Sequence, residues 1–168
     1  MSSEQGNEPD FRERAKLLPK GHRFEDMTEG RVFDHHWGRT ITDGDNAAFT
    51  TQTLSFCPLY FNEPYARSLG HPRTVVNPLL VFNTVFGLSV EDLSEGGGPF
   101  LGVDQCMFLA DVHVGDTLTA RSTVVNARES KGQQGFGIVT WHTEGFNQHG
   151  DKVLDYHRTN QVRKRSRS

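Results

Sequence analysis

NPLLVFNTVFGLSV, residues 77–90, is the stretch on which the fold turns. Asn77 is a side chain that can accept from the free N–H groups of a helix start, and Pro78 suits the first helical position, where a missing N–H costs nothing. From Leu79 on, apolar groups fall on nearly every face of a helix, the pattern of a helix buried in the middle of a domain. Asn83, Thr84 and Ser89 interrupt the run, which is far too short to cross a bilayer.

Downstream, past the flexible SEGGGP stretch at 94–99, four strands are expected at about Phe100 to Ala110, Thr117 to Ser130, Gly135 to Asn147 and Lys152 to Arg163. Turn signals separate them: Val114-Gly115-Asp116, Gly132-Gln133-Gln134-Gly135 and Asn147-Gln148-His149-Gly150. Leu118, Ala120, Ser122 and Val124 alternate with Thr117, Thr119, Arg121 and Thr123, so one face packs and the other is polar. Upstream, VFDHHWGRTIT (32–42) is β-branched and aromatic enough for one strand. Thr42-Asp43-Gly44-Asp45 then forms a capping box that opens a helix through Asn46 to about Thr53. Pro58 and Pro72 break regular structure on either side of a short helix over Glu63 to Leu69, capped by Asn62. A strand, short helices, a long apolar helix and a run of antiparallel strands argue for an α+β fold, a curved antiparallel sheet around one central helix.

The chain's 168 residues, 35% hydrophobic and 23% charged, suit one compact domain, placed at 23–164. Residues 1–22 read as a loosely held arm or one short helix, and 165–168 as a solvated basic tail. A net charge of −3 gives no reason to expect nucleic acid. Cys57 and Cys106 lie far apart without metal-ligand spacing, and no leader segment is apparent, so a reducing cytoplasm is the expected setting. His35 and His36 are strand neighbours pointing to opposite faces, and the other histidines lack the spacing of zinc hydrolases, so no metal is expected. His142 and His157 meet only if the register of the last two strands allows it.

The order of elements and the strings RTITDGDNAAFT, PLYFNEPYA, VVNPLLVFNTVFGLSV, VHVGDTLTARSTV and GFNQHGDKVLDYHR resemble the MaoC-like hydratases and dehydratases of the hotdog superfamily, over about Gly30 to Lys164. The last string and NTVFGLSVEDLS are most similar to the branch of mesaconyl-CoA hydratases. The resemblance implies a hotdog homodimer, or a higher assembly of such dimers, with an acyl-CoA thioester in a tunnel at the subunit interface and no cofactor beyond the substrate's own coenzyme A. It also implies a motif in which an Asp and a His activate one water for addition to an enoyl double bond.

Aligned on Pro58 and Ala66, that motif reads here Ser55, Phe56, Cys57, Pro58, Leu59 and Tyr60. Ser55 stands where Asp is expected and Tyr60 where His is expected, and neither is a ready base at neutral pH. At the central helix the family's His-Gly becomes Asn77-Pro78, which removes the glycine N–H that holds the thioester oxygen. The amides of Leu79 and Leu80 and the Asn77 side chain are the substitutes the helix start offers. Phe56 and Asn62 flank the motif as substrate-side residues. Arg73, preferred over Arg39 and Arg67, is the expected cation for a distal carboxylate.

Each assignment has a structural counterpart: packing and one hydrogen bond for Tyr60, a turn for Ser55, helix caps for Asn62 and Asn77, and solvation for the arginines. Two functional classes follow. One is a hydratase or dehydratase of acyl-CoA using Tyr60, Ser55 and Asn77. The other is a catalytically degenerate hotdog subunit that binds acyl-CoA or a homologous partner without turnover. A thioesterase is a weaker third, since no Ser-His-acid arrangement is evident in the sequence.

Overall fold

Alternating burial along three long strands sets the frame. In a computed structural model describing residues 21–165, the strands are β1 (Val32–Asp34), β2 (Arg39–Thr40), β3 (Phe100–Phe108), β4 (Thr117–Glu129), β5 (Phe136–Phe146) and β6 (Lys152–Arg163). All pairings are antiparallel in the order β1-β4-β5-β6-β3, and β2 pairs with β4 beside β1. Leu118, Ala120, Ser122 and Val124 are buried as the alternation requires. The arm at 1–22 and the tail at 165–168 fall almost wholly outside the described residues.

The stretch 32–42 departs from expectation. It is two short strands rather than one, because the ladder to β4 lapses between His35, whose N–H still donates to the Ala120 carbonyl, and Arg39. The helices are α1 (Asp43–Gln52), α2 (Glu63–Ser68), α3 (Pro78–Leu88) and α4 (Val90–Leu93), with 3-10 turns at Phe24–Asp26 and Pro58–Tyr60. The capping box forms: the Thr42 hydroxyl accepts from Asp45 N–H at 3.2 Å, and the Asp45 carboxylate accepts from Thr42 N–H at 3.0 Å.

Helix α3 lies on one face of the sheet. Val81 and Val85 pack with Leu118, Ala120, Val153, Leu154 and Tyr156, each valine contributing roughly 1.5–3 kcal/mol by burial. The approach depends on Gly145, since a Cβ there would lie 2.7 Å from Val85 Cγ2. The expectation that α3 is enclosed on every side is corrected. Leu79 is 55% exposed, and Asn83 and Gly87 are open too. One sheet covers only one flank of a helix; the other flank borders a groove of about 390 Å³ shared with Trp37, Arg39, Ile41 and Asp45.

A buried polar chain ties α4 to the sheet. His35 bonds through Nδ1 to Asp92 (2.7 Å) and through Nε2 to the Ser122 hydroxyl (2.9 Å), which meets the Thr143 hydroxyl at 2.8 Å. Nearby, the Arg158 guanidinium donates to Asn160, Ser89 and Ser94 and lies 3.9 Å from the Phe86 ring centre.

Candidate active site

Helix α1 carries one buried amide that organises the site. Asn46, 1% exposed, donates through Nδ2 to the carbonyls of Tyr60 (2.7 Å) and Val75 (2.9 Å), while its Oδ1 accepts from Asn77 N–H (2.9 Å). Val75 N–H also donates to the Leu59 carbonyl at 3.3 Å. The motif turn is thereby fastened to the start of α3, which brings Tyr60 and Asn77 to one end of the fold. The sequence places Asn46 in a helix and assigns it no role; only tertiary contact reveals one.

Asn77 is 2% exposed and caps α3 through Oδ1, which accepts from Leu79 N–H at 3.0 Å. Leu80 and Val81 donate to the Asn77 carbonyl at 2.9 and 3.1 Å. The amides of Leu79 and Leu80 are therefore already spent on the cap, which corrects the expectation that they stand free for a thioester oxygen. What the helix start does offer is Asn77 Nδ2, a buried donor with no acceptor among the described residues. A buried donor normally has a partner, and this one is left without one, enclosed at the start of the helix.

Tyr60 is half-buried in its 3-10 turn. Burial first, then the neighbouring Cys57 thiol and Asp111 carboxylate, push its hydroxyl above the ordinary phenol range, so it is held protonated. Ser55, ahead of that turn, is half-buried, its N–H donating to the Thr50 carbonyl. Phe56 is 64% exposed, and the Asn62 side chain caps α2 by accepting from Tyr65 N–H at 3.1 Å. Arg39 pairs with Asp45 and Arg67 with Glu63. Arg73 pairs with no carboxylate among the described residues; it is anchored by one N–H to the Val114 carbonyl at 2.8 Å.

Elsewhere, His142 and His157 do meet, their rings stacked 5.0 Å apart. His142, Glu144 and Asp155 cluster closely enough to hold a cation, but the Lys152 ammonium already bridges the two carboxylates. Ser122, His35 and Asp92 form the Ser-His-acid chain that the sequence does not reveal. It is structural, because Ser122 is wholly inaccessible and no carbonyl can approach it.

With this geometry in place, comparison with known proteins is direct. The sequence profile of the family described as mesaconyl-CoA hydratase matches residues 8–168. A mesaconyl-CoA hydratase of Haloarcula marismortui is 38% identical over 154 residues, 91% of this chain and 43% of that protein. A beta-methylmalyl-CoA dehydratase of Chloroflexus aurantiacus is 41% identical over 151 residues, 90% of this chain and 42% of that protein. The chain thus spans less than half the length of the curated relatives it matches. Among solved structures, a MaoC domain protein dehydratase from Chloroflexus aurantiacus superposes with a TM-score of 0.83 at 41% identity, covering 90% of this chain and 43% of that one. Rv0216 of Mycobacterium tuberculosis, described as a double hotdog fold, gives 0.80 at 24% identity, covering 88% and 46%. The fold is the hotdog.

Proposed function

The chain belongs to the mesaconyl-CoA hydratase family, and on that footing we propose that it hydrates an α,β-unsaturated acyl-CoA thioester, or dehydrates the corresponding 3-hydroxyacyl-CoA. Mesaconyl-CoA or a similar branched short-chain thioester is the substrate the reading favours. The observation that carries it is the family match over residues 8–168, joined to a fold in which Asn46 fastens the Tyr60 turn to the positive end of α3 at Asn77. A thioester carbonyl facing that helix end is stabilised by its partial positive charge as the oxygen takes on enolate charge. Tyr60, its backbone fastened by Asn46 and its hydroxyl held protonated by burial, is the acid that delivers a proton to the α carbon. Ser55 orients the water from just ahead of that turn, Phe56 borders the acyl group, and Arg73 retains N–H groups for a distal carboxylate.

No cofactor is invoked beyond the coenzyme A of the substrate. A homodimer is the proposed assembly: β3 is an edge strand whose Phe100, Leu101, Met107 and Phe108 are exposed, and a second copy there would continue the ladder. No helix among the described residues is long and apolar enough to cross a membrane, and both cysteines are free thiols, as a cytoplasmic setting expects.

The test follows the enoyl-thioester absorbance of mesaconyl-CoA and crotonyl-CoA after adding purified protein. Wild type is expected to bleach the band, and Tyr60→Phe and Asn77→Ala to slow it by roughly 10²-fold or more. A second reading, a hotdog subunit that binds the thioester without turnover, is favoured by one observation: Ser55 and Tyr60 occupy the positions where the family carries Asp and His. Tight binding with an unchanged band would select it.

A further inference from the structure

The motif turn supplies an acid in Tyr60 but no base, and we propose that His71, paired with Asp111, is the base that takes the proton from water at this site. This rests on the hydratase reading above. The need is chemical. Adding water across a double bond requires a group that accepts a proton as the oxygen attacks, and neither a serine hydroxyl nor a protonated phenol does so near neutral pH.

The backbone delivers a candidate to the right place. Helix α2 begins just beyond Tyr60, and at its end His71 N–H donates back to the Ala66 carbonyl at 3.1 Å. The chain then returns past the motif turn, with Val75 bonded to Leu59. On its other side it pairs with the β3–β4 connection, through Val76 N–H to Val112 (2.8 Å) and Val114 N–H to Thr74 (3.0 Å). His71, Asp111 and His113 therefore gather on the two segments that run past the motif turn. His71 Nδ1 lies 3.7 Å from Asp111 Oδ2, and the His71 and His113 rings are 5.6 Å apart. The His71 side chain is 23% exposed, open to a water yet partly sheltered. Asp111 bears electrostatically on Tyr60 and on His113 as well, so one carboxylate links acid and base.

The other described histidines are committed elsewhere. His22 bonds the Asp92 carbonyl, His35 is sealed in the core, and His36 sits by Glu91. His142 and His157 stack on each other, and His149 lies in the β5–β6 turn. His113 is excluded as the base because its Nε2 is closed off from solvent; its ring backs His71.

The step balances. Water oxygen bonds to the β carbon as its proton moves to His71 Nε2, and the π electrons pass to the thioester, whose oxygen faces the positive start of α3. Tyr60 O–H protonates the α carbon, and the imidazolium proton, stabilised by Asp111, returns to the phenolate. In the reverse direction the same groups eliminate water.

The experiment measures mesaconyl-CoA hydration by wild type, His71→Gln and Asp111→Asn across pH, with thioester affinity and melting temperature as folding controls. His71→Gln is expected to lose about 10²–10⁴-fold in kcat with KM changed only a few fold, to lose the acid limb of the pH profile, and to regain rate with added imidazole. Asp111→Asn, at an exposed position, is expected to lower kcat with KM and melting temperature held, because the imidazolium formed in the step loses its paired carboxylate. It carries the test if His71→Gln fails to fold. An active wild type whose rate and acid limb both survive these substitutions overturns the assignment and leaves the hydratase reading standing. A wild type that binds mesaconyl-CoA without hydrating it overturns both.

Discussion

Replacing Asn46 by alanine should weaken the fold and the site together, by an amount its contacts allow to be worked out. The substitution removes the bonds to the Tyr60 and Val75 carbonyls and from Asn77 N–H. At a net ~0.5–1.5 kcal/mol each, these sum to roughly 1.5–4.5 kcal/mol, and stranding the buried Val75 and Asn77 groups keeps the value from falling below the middle of that range, about 3 kcal/mol. For a domain whose whole stability is on the order of 5–15 kcal/mol, that is a large share. At roughly 2–4 °C per kcal/mol, the melting temperature should fall by about 6–12 °C. Urea unfolding with an unchanged m-value is the assay. Asn46→Asp separates donor from acceptor: it keeps the acceptor for Asn77 N–H but turns a carboxylate toward two carbonyl oxygens. It should cost at least as much at neutral pH and recover in part where the carboxyl is protonated. A loss below about 1 kcal/mol for Asn46→Ala would refute the idea that this side chain fastens the motif turn to α3.

Gly145→Ala places a Cβ 2.7 Å from Val85 Cγ2 and 3.3 Å from Leu154 Cβ, so it should cost about 1–3 kcal/mol by overpacking; Val85→Ala in the same chain should relieve part of that, and strict additivity in the double-mutant cycle would count against the close helix–sheet approach. The pH dependence has a definite sign. Burial, the leading cause for both, lowers the pKa of His35 and of His113 below the ordinary 6.5, so in the acid range the unfolded chain binds more protons than the folded one. Their contribution is complete above about pH 6.5 and is lost as pH falls below that value. Carboxylates with lowered pKa, such as Asp45 and Asp155, lose theirs only near and below 3.8. Urea unfolding between pH 7.5 and 5.5 should therefore show a decline that flattens in the combined His35→Gln, His113→Gln variant. The same slope in that variant would assign the decline to other groups.

The strands and caps were legible because their signals are local. Thr42 and Asp45 close a box within one turn, and Asn62 and Asn77 cap the helices they precede. The alternation of β4 is the burial pattern itself. The site was legible only as a list of positions. That Leu79 and Leu80 spend their amides on Asn77 depends on cap geometry that an Asn-Pro dipeptide does not specify. That Asn46 bridges Tyr60 and Asn77 depends on contacts across 14 and 31 positions of chain, and the pairing of His71 with Asp111 spans a still longer gap. No spacing rule reaches that far.

The over-reading of α3 is the most instructive departure. Leu79, Leu80, Phe82, Phe86 and Leu88 join Val81 and Val85 in making the helix apolar all round, yet the sheet covers only the flank of Val81 and Val85 fully. Apolar periodicity reports what is buried in the assembly that selection acts on, and one chain is a part of that assembly when a surface is left over. Here the leftover has two parts: the open flank of α3, and the edge strand β3 with Phe100 at 53% and Met107 at 58% exposure. The second copy proposed above would cover the edge strand, whereas the open flank of α3 faces the β2 side of the sheet and stays a separate apolar surface.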